Sequence, residues 1–94
     1  KAICLHNTET DSHSKLAIDG IFLAIGTVPE NKAFAKVAQI NEQGYIVSDE
    51  NGTVTAPGVF VAGDCRTKRY RQIATAIADG ASAALNACRY LDNL

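Results

Sequence analysis

A carboxylate follows a glycine at Gly63-Asp64, and a few residues later comes Arg71-Gln72-Ile73-Ala74. An ionised Asp only accepts hydrogen bonds, so Asp64 can receive them from ligand hydroxyls. It can equally cap nearby backbone N–H groups in a turn. Gly63 would let backbone come close to a ligand. Arg71-Gln72-Ile73-Ala74 stands where a helical pattern begins. Free N–H groups and the positive end of the helix dipole favour negative charge there, including that of a redox ring made anionic by reduction. The plainer reading is an ordinary helix start with a solvated Arg. Gly26 ends an apolar run and either admits a ligand or crossing chain closely or simply ends a strand.

The elements that must position these residues are partly legible. Lys1–His6 has strand character, Asn7–Ser14 is a polar turn, and Lys15–Ile18 returns as a hairpin partner. Ile21–Ile25 is a continuous apolar run between glycines, which predicts a buried strand. Glu30–Val37 predicts a short helix. Gly44–Asp49 and Thr53–Thr55 predict two short strands joined through Asn51-Gly52, a hairpin turn signal. Pro57-Gly58 suits a type II turn, with Gly supplying φ > 0. Val59–Ala62 predicts a second buried strand whose carboxyl end carries Gly63-Asp64, the strand end at which ligands bind in α/β proteins. Asp64–Tyr70 reads as a polar loop. From about Arg71 to Leu91, the residues Ile73, Ile77, Gly80, Ala84, Ala87 and Leu91 form one helical stripe. Gly80 costs about 1 kcal/mol against Ala in a helix, which close approach to a sheet or ligand would offset.

Composition narrows the class. The chain has 94 residues, 47% hydrophobic and 20% charged, with a net charge of −1. That is ordinary globular usage for at most one domain. Residues 1–56 hold four Lys/Arg and seven Asp/Glu, a net −3, and residues 57–94 hold five and three, a net +2. Such an excess is too small for a nucleic-acid surface. No membrane span or signal peptide is visible. Cys4, Cys65 and Cys88 form no Cys-x-x-Cys or metal spacing, so a reducing cytoplasm fits best. Cys65 adjoins the candidate site and reads as a small buried residue rather than a redox thiol. His6 and His13 read as surface residues, and Lys68-Arg69-Tyr70-Arg71 as a solvated loop. No nucleophile–base pair, paired acids, P-loop or complete Gly-x-Gly-x-x-Gly is present, so no catalytic or metal residue is assigned. The chain opens on Lys rather than Met, inside a strand-like run, as a piece of a longer protein would.

Taken together, Asp19-Gly-Ile-Phe-Leu-Ala-Ile-Gly26, Pro29-Glu-Asn31, Gly44-Tyr-Ile46, Pro57-Gly-Val-Phe-Val-Ala-Gly-Asp64, Arg71-Gln72, and Ala83-Ala84 through Arg89-Tyr-Leu91 resemble the C-terminal part of bacterial-type thioredoxin reductases. The resemblance covers almost the whole chain. It implies a partial, Rossmann-like α/β domain in three layers, with short β-hairpins and a long C-terminal helix. Residues 1–20 would be the tail of an NADPH-binding domain and residues 21–94 the C-terminal part of a split FAD-binding domain. Asp64 would bond the FAD ribityl chain, with Gly63 and Gly26 allowing close approach. Arg71, Gln72, Ile73 and Ala74 would lie along the flavin ring. The resemblance also implies NADPH as co-substrate, thioredoxin as partner and a homodimer. Val54 stands where the family often has Thr. The FAD and NADPH glycine motifs and the redox Cys-x-x-Cys would lie upstream of Lys1. A related flavoprotein without redox cysteines, of the ferredoxin-dependent kind, and an inert self-associating fragment are the competing readings.

Overall fold

The computed structural model describes all residues, Lys1–Leu94. A two-stranded antiparallel sheet comes first, β1 (Ala2–Asn7) against β2 (Ser12–Ala17). The turn between them is set by Asn7, whose side-chain Oδ1 accepts the N–H groups of Glu9 at 2.9 Å and Thr10 at 3.1 Å. Asn at the start of a turn does this because its short amide mimics a backbone turn. The hairpin packs on neither helix, and both strands are almost wholly exposed.

A single turn of 3-10 helix, η1 (Lys32–Phe34), replaces the helix predicted over Glu30–Val37. The last element, α1 (Ile73–Asp92), matches the helical pattern to within two residues at its start. Between them the chain is held by turns and single bridges. Ile46 bridges Ile40 antiparallel and Arg66 in parallel, and Thr53 bridges Phe60. Segments Gly44–Asp49 and Thr53–Thr55 therefore do not pair with each other as predicted. Asp49 explains why: its Oδ1 accepts Thr53 Oγ1 at 2.8 Å and the N–H groups of Asn51 and Thr53 at 3.0 and 3.1 Å. That closes a loop where a hairpin would need a ladder. The Thr53 hydroxyl and N–H hold the Asp49 carboxyl at about 2, below its ordinary 3.8.

Val59–Ala62 is likewise no full strand, although Val61 is buried and Val61 N–H donates to Gly52 O at 2.8 Å. Pro57-Gly58 does form the expected turn, with Gly58 at φ 76° and Val59 N–H donating to Ala56 O at 3.3 Å. The core is small: Ala38, Ile46 and Val61, with Ile40, Val54 and Cys65 packed against them.

Ile21–Ile25 overturns the buried-strand expectation most completely. Phe22 is 101% exposed and Ile25 93%. A strand needs a neighbour to satisfy its N–H and C=O groups, and no segment of the chain pairs with this one. The helix stripe is also turned outward, except at Ala87. Thr75, Ala76, Asp79, Ser82, Ala83, Asn86 and Ala87 are half-buried against the preceding loops, while Ile73, Ile77 and Leu91 face outward. Gly80 meets no close neighbour, so the close approach expected there is not made within this chain.

These faces leave an extended molecule. Its principal extents are 64 × 25 × 20 Å and its radius of gyration is 20.0 Å, against about 12 Å for a compact domain of this length. The accessible surface is 7725 Å², roughly 2,500 Å² more than a compact monomer of this mass exposes. This is a partial Rossmann-like α/β domain whose apolar strand and helix faces lack their partners.

Candidate functional site

Asp64, Cys65 and Arg71 line one open cleft together with Thr27, Pro29, Asn31 and Tyr45. The floor of the cleft is fixed first. Asn31 is buried, and its Nδ2 donates to Gly44 O and Cys65 O, both at 2.9 Å. One amide thus ties the segment after Pro29 to the two chain segments that cross there. Gly44 has φ 90°, and a Cβ on it would lie 3.3 Å from Pro29 O, so only glycine fits that crossing comfortably.

Arg71 closes one wall. Its Nε donates to Asp64 O at 3.1 Å and its Nη2 to Arg66 O at 3.2 Å. The guanidinium lies 3.7 Å from the centre of the Tyr45 ring, a cation–π contact that fixes its plane. Arg71 is therefore not the solvated residue of a free basic loop. The Asp64 carboxylate is exposed and makes no hydrogen bond to this chain, whose contacts use only its carbonyl. It is not a local cap, so its acceptor positions remain available to a ligand.

The loop that carries Asp64 is clamped from behind. Asp79, two turns into α1, receives Arg66 Nε and Nη2 in a bidentate pair, both at 2.7 Å, and Lys68 Nζ at 2.8 Å. It also accepts the Gly63 N–H at 3.0 Å. The Arg66 and Asp79 side chains are 4% and 11% exposed. Hydrogen bonding from Arg66, with help from Lys68 and Gly63, holds the Asp79 carboxyl well below the usual carboxylate range. The same pairing pushes the Arg66 guanidinium above its ordinary value. Gly63 sits at φ 85°, a conformation that favours glycine, and its N–H is held by this clamp.

The start of α1 completes the geometry. Gln72 is the N-cap in extended conformation, and its N–H donates to Thr75 Oγ1 at 3.1 Å. No acidic side chain occupies the first turn. Gln72, Ile73 and Ala74 are exposed there. Gly26, at φ 97°, has open space around it and does not line the cleft. Sequence reasoning missed Asn31, Tyr45, Arg66 and Asp79. Nothing local marks a pairing between Asp79 and Arg66 across thirteen positions, and both were hidden in stretches that read as helix surface and polar loop.

Comparison with known proteins decides the family. The family described as "Pyridine nucleotide-disulphide oxidoreductase" matches residues 2–80. The chain belongs to that family. Among its curated relatives, a thioredoxin reductase of Listeria innocua is 43% identical over 99% of the chain, which spans 29% of that relative. A 34.2 kDa protein in a rubredoxin operon of Clostridium pasteurianum is also 43% identical, over 95% of the chain and 29% of its own length. The crystal structure of Lactococcus lactis thioredoxin reductase matches with a TM-score of 0.81 and 33% identity, covering 99% of the chain and 31% of its own. The chain is thus a thioredoxin-reductase-type region of the pyridine nucleotide-disulphide oxidoreductases, spanning less than a third of these relatives. The cleft presents a free carboxylate at Asp64 and a fixed guanidinium at Arg71.

Proposed function

We propose that this chain is the flavin-facing part of an FAD-dependent thioredoxin-disulphide reductase that draws on NADPH and serves thioredoxin. The observation that carries this reading is the Asp64 carboxylate: it is unpaired and exposed, yet held on a clamped loop beside Arg71 and the start of α1. A carboxylate of this kind is an acceptor for polyol hydroxyls. Asp64 would hold the ribityl chain of FAD with Gly63 beside it, and Gly26, outside this cleft, would meet the cofactor only where the rest of the domain brings it. Arg71, Gln72, Ile73 and Ala74 would lie along the ring, with helix N–H groups favouring negative charge on it. The flavin supplies the electron-transfer chemistry; the protein positions and tunes it.

The domain division follows the same reading. The β1–β2 hairpin packs on neither helix; residues 1–20 would be the end of an NADPH-binding domain and residues 21–94 part of the FAD-binding domain. The exposed faces of Ile21–Ile25 and α1 are where the rest of that domain and a second subunit of a homodimer would pack. A cytoplasmic setting is part of the same proposal.

The experiment is steady-state turnover of the full-length protein with NADPH and oxidised thioredoxin. The expected result is NADPH oxidation that depends on thioredoxin. The relative from a rubredoxin operon makes the electron acceptor the point most in need of testing. NADPH oxidation that ignores thioredoxin but responds to an iron–sulphur protein would replace the thioredoxin assignment while leaving the flavin assignment standing.

A further inference from the structure

We propose that the turn end of the β1–β2 hairpin binds a divalent transition cation, with His6 and His13 as imidazole donors and Asp11 as carboxylate donor. His6 and His13 are directly paired across the two strands. Their rings stack with centroids 4.4 Å apart and planes 6° from parallel. Asp11 reaches back from the turn, its Oδ1 2.8 Å from His6 Nε2. One potential donor atom from each residue lies within 4.8 Å of the other two.

The backbone holds this arrangement. Asp11 has φ 54° and is the chain's one non-glycine residue with positive φ. That conformation is rare for side-chain-bearing residues, Asp and Asn being among those that tolerate it. Asn7 fixes the same turn through Glu9 and Thr10, and Thr10 Oγ1 meets Ser12 Oγ at 2.8 Å on its far side. A tetrahedral site with metal–donor bonds near 2.0 Å sets its donor atoms about 3.3 Å apart. His6 Nε2 and Asp11 Oδ1 are 2.8 Å apart and all three donor atoms lie within 4.8 Å of one another, so binding would require the stacked rings to rotate until both imidazoles face the ion.

Two imidazoles with one carboxylate suit zinc, nickel or copper(II) rather than magnesium or calcium, which prefer oxygen donors throughout. The three protein donors leave a coordination position for water. The side chains of His6 and Asp11 are 48% and 91% exposed, so a cation has free entry. None of the three lines the cleft of Asp64 and Arg71, so the site is separate from the one proposed for the flavin. A bound cation would tie both strands to their turn. That matters in an isolated two-stranded hairpin, which is marginally stable in water.

The test is a zinc titration of the chelator-stripped full-length protein against a chromophoric zinc indicator. It compares the native protein with a His6→Ala/His13→Ala double variant and with Cys4→Ser, which removes the exposed thiol on the same face of β1. The native protein and Cys4→Ser are expected to bind one more zinc ion per chain than the double variant. Either histidine change alone is expected to weaken that ion by about tenfold or more. Circular dichroism checks that the double variant keeps its fold. Equal zinc stoichiometry in native and double variant, or loss of the same ion in Cys4→Ser, overturns the proposal.

Discussion

Replacing Asp79 with alanine should destabilise the full-length protein by about 3 kcal/mol or more, the cost of leaving a buried charge without its partner. Asp79 gathers Arg66, Lys68 and the Gly63 N–H on one carboxylate. Its removal strands the Arg66 guanidinium, whose side chain is 4% exposed, and frees the loop that presents Asp64. Lys68→Ala removes one donor only and should cost less than half as much. Urea unfolding of the three proteins measures the difference. Because the Asp79 carboxyl is held below its ordinary 3.8, its contribution is complete above about pH 4 and falls away only as pH drops further. The native protein should therefore show the full gap over Asp79→Ala at neutral pH. A gap within about 0.5 kcal/mol, the range of ordinary surface changes, would show that the clamp does not hold the loop.

Gly52→Ala should be comparably severe. Gly52 is buried at φ 73°, and a Cβ there would lie 2.5 Å from Val61 O. The left-handed conformation costs a non-glycine residue about 1–2 kcal/mol. The contact costs more, because the obstructing atom is backbone and Val61 belongs to the core. Moving it breaks the Val61 N–H to Gly52 O hydrogen bond of 2.8 Å. A total of about 3 kcal/mol is expected, an order set by strain plus overpacking. Gly20→Ala is the control, since a Cβ there meets nothing within 4 Å and its φ is not positive. Equal stability of the two variants would mean that the segment carrying Gly52 yields freely and the crossing with Val61 positions nothing.

How much of this was legible in the sequence depends on whether a signal was local. The hairpin, the Pro57-Gly58 turn and the C-terminal helix were, because strand alternation, turn chemistry and helical period act over a few residues. The register was not, so His6 and His13 read as surface residues without a partner when they are paired across strands. Ile21–Ile25 has the composition of a buried strand, but burial needs a neighbour from outside this chain. The same holds for the apolar stripe of α1: period located the helix but could not say which face this chain would cover. Thr75, Ala76, Asp79, Ser82 and Ala83 pack inward through small size and hydrogen bonding, which hydrophobic periodicity does not register. At the site, Asp64 and Arg71 were visible as residue types, while Asn31, Tyr45 and Asp79 act through contacts made far along the chain.

The most direct test of the central claim, that Asp64 is the flavin-facing carboxylate, is the flavin content of the full-length protein. Native and Asp64→Ala proteins would be desalted together and their visible absorbance compared with protein concentration across a dilution series. Losing a hydrogen bond to a charged acceptor costs about 1.5–3 kcal/mol, or roughly 10- to 100-fold in affinity. The native protein should retain FAD through desalting, and Asp64→Ala should release it at concentrations where the native protein does not. Equal retention by both proteins, or no flavin in either, would contradict the account.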